Sequence, residues 1–137
     1  MREVVRARGH EHVAATHGST FEVTTDDWLT PAGDCIVGVE ADRAPADFAD
    51  AFADACRDPA ATITLRLAAA DATHEVAARG HPDLTFESDR SAVVRTSTYV
   101  DDRTVAVGAD AAAADLDRSL VAALAGGADC TLTLAVE

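Results

Sequence analysis

The chain of 137 residues has no lysine, and all eleven of its basic residues are arginine. Against them stand 24 acidic residues, mostly Asp, which gives a formal net charge of -13. The composition therefore lacks the basic stripe that a nucleic-acid binder needs, although Arg2, Arg6 and Arg8 crowd the N-terminus and share one face at a period of two. No apolar run approaches the roughly 18 residues of a membrane span. The opening Met1-Arg2-Glu3-Val4-Val5-Arg6 also lacks the uninterrupted apolar segment of a signal peptide, so a soluble, unprocessed protein is expected. Cysteine is limited to Cys35, Cys56 and Cys130. An odd count without Cys-x-x-Cys spacing argues against a disulfide framework and a zinc ribbon, and fits a reducing cytoplasm. No phosphate-binding loop or Gly-x-Ser-x-Gly is present, and Gly9-His10-Glu11-His12 has the wrong spacing for a His-Glu-x-x-His zinc helix.

The acidic residues are spread between apolar positions and read as a solvated surface. Asp in place of Glu, no Lys, abundant Ala, Thr and Val, and only one Trp, one Tyr and four Phe resemble a proteome that works in molar internal salt. At that salt the Debye length is about 3 Å, so net charge carries little information about distant partners.

What the chain does have is a repeat. Arg8-Gly9-His10 recurs as Arg79-Gly80-His81. At an offset of 71, Val23 matches Val94, Thr25 matches Thr96 and Trp28 matches Tyr99. At an offset of 68, Val37 matches Val105, Ala41-Asp42 matches Ala109-Asp110 and Asp47-Phe48 matches Asp115-Leu116. One more residue is expected before the last strand, pairing Ile63 and Leu65 with Leu132 and Leu134. Two units, about 2–68 and 73–137, are too few for a solenoid and are expected to close on each other as one pseudo-twofold domain over 1–137.

Within the first unit, Val4 to Arg8, Val13 to Thr16, Thr20 to Thr25 and Cys35 to Glu40 read as short strands. Trp28 to Asp34 reads as a loop, with Pro31 fixing φ and Gly33 free to take a positive φ. Pro45 opens a helix whose Phe48, Phe52, Ala55 and Cys56 fall on one stripe, and Leu116, Leu120, Ala123 and Leu124 repeat it before Gly126-Gly127. Thr62 to Leu67 and Thr73 to Arg79 form a hairpin between the units. The expected class is mixed α+β, mainly β: duplicated β-rich units with one helix each, arranged as a pseudo-twofold barrel or as layered sheets. Gly33-Asp34 leading into Cys35-Ile36-Val37 is similar to the turn of double-psi and related cradle-loop barrels.

Gly9-His10, Ala15-Thr16-His17, Leu29-Thr30-Pro31, Gly33-Asp34-Cys35-Ile36, Ala41-Asp42, Gly80-His81-Pro82 and Asp102-Arg103-Thr104 together resemble the archaeal family called domain of unknown function 371. That resemblance implies a cytoplasmic archaeal protein, and it brings no catalytic residue with it.

Residues present in both units serve what both halves need, so Arg8, Gly9, Arg79, Gly80 and His81 lean structural, Gly for a bend and Arg or His for exposed backbone groups. Asp42 and Asp110, just before the helices, read as caps or turn residues. His12, His17 and Cys35 are matched instead by Asp83, Ser88 and Arg103. His10 and His12 share a face if extended, and His17 on the next strand makes a three-nitrogen divalent-metal site geometrically available, against surface imidazoles that bond locally. Cys35 beside a histidine reads either as an activated thiol or as a packed apolar residue. The leading expectation is a noncatalytic domain that binds a small ligand or a protein through His10, His12, His17, Asp34 and Cys35. A metal-dependent or thiol enzyme using the same residues is second, and an RNA-associated factor third.

Overall fold

The computed structural model describes every residue from Met1 to Glu137. Strands β1 (Arg2–Arg8), β2 (Thr20–Thr24) and β3 (Ile36–Gly38) lead into helix α1 (Asp50–Cys56) and strand β4 (Thr62–Ala69). The same order then recurs: β5 (Ala72–Arg79), β6 (Ser91–Arg95), β7 (Thr104–Ala106), helix α2 (Arg118–Ala125) and β8 (Asp129–Val136). Two four-stranded sheets result, with strand orders β1-β8-β4-β5 and β3-β2-β6-β7. The first is antiparallel throughout. In the second, β2 and β6 pair antiparallel at the centre while β3 and β7 run parallel to their neighbours.

Neither sheet closes on itself. Single bridges, Arg8 to Val39 and Arg79 to Val107, tie β1 and β5 to the residues that follow β3 and β7. The protein is thus mainly β with two helices and two open sheets, so of the two expected arrangements, barrel or layered sheets, the closed barrel is not formed; the double-psi comparison at Gly33-Asp34 has no closed barrel to support it. One core of 36 buried residues draws on both sheets and both helices.

Strict alternation explains the first sheet. Ile63, Leu65 and Leu67 of β4 and Leu132, Leu134 and Val136 of β8 turn inward and are buried, each stabilising by about 1.5–3 kcal/mol, while Thr64, Arg66, Thr131 and Thr133 face out. Leu65 lies opposite Leu134 and Leu67 opposite Leu132. In the flanking ladders Arg8 faces Asp129 whereas Arg79 faces Thr62, so the two last strands correspond at an offset of 67 and not 69. A two-residue slip leaves every side chain on the same face, and the apolar pattern is blind to it.

Both helices start later than the stripe predicts. Pro45–Asp47 and Ala113–Asp115 are 3-10 turns, the chain extends at Phe48 and Leu116, and the α-helices begin at Asp50 and Arg118. Phe48, Phe52 and Cys56 are buried as expected, with Ala53 in place of Ala55. Asp117 caps α2 by accepting from the N–H groups of Ser119 and Leu120. Glu3 of β1 accepts from Ala49 N–H at 2.8 Å, so a strand residue caps α1.

The run Val13 to Thr16 is not a strand. Ala15 takes φ 49, which breaks the extended chain, and Thr16 and His17 give their N–H groups to the carbonyl of Asp34. Phe86, 71 positions later, repeats that conformation with φ 54. Gly33, expected to use a positive φ, does not; among the glycines Gly108 and Gly127 do.

Candidate functional site

The residues singled out from sequence do not converge on one point. His10 and His12 lie together, ring centroids 5.2 Å apart, and His10 Nδ1 accepts from the His12 N–H at 3.0 Å. No group of three or more His, Cys, Asp or Glu side chains is placed to hold a metal ion, so the trio His10, His12 and His17 is not assembled. His17 Nδ1 instead accepts from the N–H groups of Ser19 and Thr20 at 3.3 and 3.2 Å. At the matching position Ser88 Oγ accepts from the N–H groups of Arg90 and Ser91 at 3.2 and 3.1 Å. An imidazole nitrogen and a hydroxyl oxygen thus close the same turn, and the difference in residue type hides a shared structural task.

Asp34 meets His17 only through its backbone carbonyl. Cys35, half-buried, points its Sγ at Glu22 Oε1, 3.7 Å away. Burial and then the Glu22 carboxylate push its thiol up, the wrong direction for a nucleophile, which acts as thiolate. That setting does not favour an activated thiol at Cys35.

Among the residues present in both units, Gly9 and Gly80 lie against the last carbonyls of the two helices. A Cβ on Gly9 would run into the Leu124 carbonyl, and one on Gly80 into those of Cys56 and Asp58. His81 Nδ1 accepts from the Asp83 N–H at 3.0 Å, as His10 does for His12. Asp42 and Asp110 are not helix caps. Each clamps a strand backbone, Asp42 Oδ1 accepting from Arg6 N–H at 2.9 Å and Asp110 Oδ1 from Ala77 N–H at 3.1 Å, because the chain passes β1 and β5 before the 3-10 turns begin.

A cleft opens elsewhere. It has a volume of about 440 Å³ over the β1–β8 ladder and is lined by Arg6, Ala7, Arg8, Glu40, Asp129, Cys130 and Thr131. Past Arg8 it meets a groove of about 320 Å³ where Gly9, His10 and Glu11 face Gly126 and Gly127. Arg8 Nε donates to Glu40 Oε2, the two side chains 48% and 43% exposed, while the Arg6 guanidinium is left without a partner. Cys130 is buried and its thiol is pushed up to about 11 by that burial, so it lines the cleft as a packed thiol. The cleft offers a free cation, an ion pair and a second carboxylate within one open hollow. That is equipment for binding a polar molecule.

Glu40 is the unusual member. Its φ is 54, a left-handed conformation that costs a residue with a Cβ roughly 1–2 kcal/mol. Gly108, 68 positions later, adopts φ 58, and Arg79 lies over it. Where the surroundings of β5 have Ala77, Gly108 and Thr62, those of β1 have Arg6, Glu40 and Asp129. Glu40 and Asp129 are not among the sequence candidates, and Arg6 is among them only as one of the N-terminal arginines. The signal was present, since Glu40 against Gly108 and Arg6 against Ala77 stand at the two offsets of the repeat.

A mainly β protein of two open sheets with a polar cleft over one of them is the class that fold and site define. Its family follows from comparison: the model of the domain of unknown function DUF371 matches residues 5–137. The chain belongs to that family. An uncharacterised protein of Methanocaldococcus jannaschii is 33% identical over 136 residues, which span 99% of this chain and 100% of that protein.

Proposed function

We propose that the protein is a noncatalytic binding domain, built from two copies of one ancestral unit, that holds a small polar ligand in the cleft over β1 and β8. The observation that carries this reading is Glu40 in the left-handed region at a position where the other half uses glycine. Strained residues persist where the side chain has a task that glycine cannot perform. Here that side chain fixes Arg8 at the cleft mouth and leaves Arg6 free for an anionic group of the ligand. Asp129, across the ladder from Arg8, supplies an acceptor. The repeated order of elements and the matched positive-φ pairs, Ala15 with Phe86 and Glu40 with Gly108, support descent from a duplicated unit.

The test is a melting-shift screen with succinate, glutamate, inorganic phosphate and nucleoside monophosphates, repeated on Glu40→Gly and Arg6→Ala. A ligand at 100 times its Kd stabilises by about 2.7 kcal/mol, well above detection. The reading requires a shift in the parent protein that both variants lose. A screen with no shift, or a shift that survives both substitutions, sinks it.

A further inference from the structure

Seven of the eleven arginines have partners. Arg8, Arg43, Arg57, Arg90, Arg95 and Arg103 pair with carboxylates, and Arg118 donates to the carbonyls of Ala15, Ala113 and Leu116. The other four are Arg2, Arg6, Arg66 and Arg79, all exposed. With 24 acidic residues in the chain, a guanidinium without an acceptor is the exception. All four exceptions fall on one surface. Arg2 and Arg6 alternate with the buried Glu3 and Val5 on β1, Arg66 lies between buried Leu65 and Leu67 on β4, and Arg79 follows buried Ala78 on β5. That places every one on the outer face of the β1-β8-β4-β5 sheet.

The geometry points to this face as a docking surface for the phosphate backbone of double-stranded DNA, read without regard to sequence. Arg2 and Arg6 are four residues apart on one strand, about 13 Å at the usual rise. Arg66 faces Thr133, which faces Val4, so it stands two strands away and midway between them. Strand spacing then sets Arg66 about 12 Å from each, comparable to the roughly 12 Å width of the B-form major groove between its two phosphate ridges. Between the arginines the face carries Thr64, Thr131 and Thr133, whose hydroxyls can donate to phosphate oxygens, and two carboxylates, Glu75 opposite Arg66 and Asp129 opposite Arg8.

The alternatives fit less well. Protein interfaces are anchored by large aromatic or apolar side chains. Of the exposed large hydrophobic residues, Trp28 and Tyr99 belong to loops beside the other sheet, and only Met1 adjoins this face. The absence of aromatics on this surface also removes the platform on which single-stranded bases stack. The face of a four-stranded sheet is too broad to enter a groove, so contact stops at the backbone and sequence is not read. This face carries five arginines, Arg2, Arg6, Arg8, Arg66 and Arg79, against Glu75 and Asp129, whereas the chain as a whole has a net charge of -13, so this is the face that attracts DNA most. The inference does not depend on the cleft, because Arg2, Arg66 and Arg79 lie outside it.

The experiment measures anisotropy of a labelled random-sequence duplex of about 20 base pairs, starting at the lowest potassium chloride that preserves the native circular dichroism spectrum. Arg2→Gln and Arg66→Gln should each weaken binding equally for unrelated sequences and each flatten the log–log salt dependence by about 0.9. Glu40→Gly should leave duplex binding unchanged or stronger while abolishing any small-ligand shift, so the two readings fail separately. No duplex binding at the starting salt, or variants with the parent's affinity and slope, would overturn the inference. So would tighter binding of the matching single strand or of polyglutamate, which would assign the face to another polyanion.

Discussion

Glu40→Gly is expected to leave the protein about as stable as the parent, although it removes an ion pair. The left-handed backbone at φ 54 costs a non-glycine residue about 1–2 kcal/mol, and glycine relieves it. Against this, glycine adds roughly 0.4–1 kcal/mol of unfolded-state entropy. The Arg8–Glu40 pair, with side chains 48% and 43% exposed, contributes about 0–1 kcal/mol. The net change therefore falls between a loss of about 1 kcal/mol and a gain of about 1.6 kcal/mol, a few degrees in Tm for a chain of this size. The reciprocal change is not neutral. Gly108→Glu puts a Cβ at φ 58 and 2.7 Å from a guanidinium nitrogen of Arg79, so a loss of about 1–2 kcal/mol is expected. Urea unfolding in molar potassium chloride, extrapolated linearly and with equal m-values, measures both. A loss above about 2 kcal/mol for Glu40→Gly, or a neutral Gly108→Glu, would show that Glu40 serves the fold and that no strain is held at the cleft.

Four further outcomes are expected. His17→Ala should cost about 1–2 kcal/mol by orphaning the Ser19 and Thr20 N–H groups, His17→Ser should recover most of it, and His81→Ala should cost less because the Asp83 N–H that it satisfies is exposed; equal melts for His17→Ala and the parent would contradict the turn-closing role. Phe52→Ala should cost about 3–5 kcal/mol and Leu120→Ala about 2–5, since both are buried centrally in their helices; denaturant midpoints test them. Partial burial pushes the Asp101 carboxyl up, but hydrogen bonds from the Arg103 N–H, Thr104 Oγ1 and the Arg103 guanidinium, with the Arg95 charge beside it, outweigh that and hold it at about 2. A depressed folded value means that its stabilisation, about 1–2 kcal/mol, is present above pH 4 and lost as pH falls from about 4 to 2, so Asp101→Asn should flatten the acid limb of stability. Melts from dilute buffer to molar potassium chloride should rise with salt as repulsion within a chain of net charge -13 is screened; a Tm independent of salt would remove the salt-adapted reading.

Much of the fold is legible because it rests on period-two and period-3.6 patterns that the chain states twice, once in each half. The inward Ile63, Leu65 and Leu67, the hairpin into β5 and the buried Phe52 and Leu120 all follow from alternation or stripe alone. What escapes is set by partners distant in sequence. Val13 to Thr16 has strand composition, yet its neighbouring N–H groups go to the Asp34 carbonyl and its chain kinks at Ala15, neither of which composition records. The offset of 67 in the last strand escapes for a different reason: a slip by one full period changes the neighbours across the ladder and nothing in the inward and outward pattern.

The site is legible only when residues are compared by role. His17 against Ser88 differs in type, but both accept two backbone N–H groups at a turn, so that contrast carries no functional information. Glu40 against Gly108 looks like ordinary surface drift, yet the backbone at both is left-handed, a conformation that glycine tolerates and glutamate resists. Sequence comparison weights histidine and cysteine because their chemistry is versatile. Backbone conformation weights Glu40, since a residue kept against its own preference needs a reason that its side chain supplies, and its contact with Arg8 at the mouth of the cleft is where that reason is to be sought.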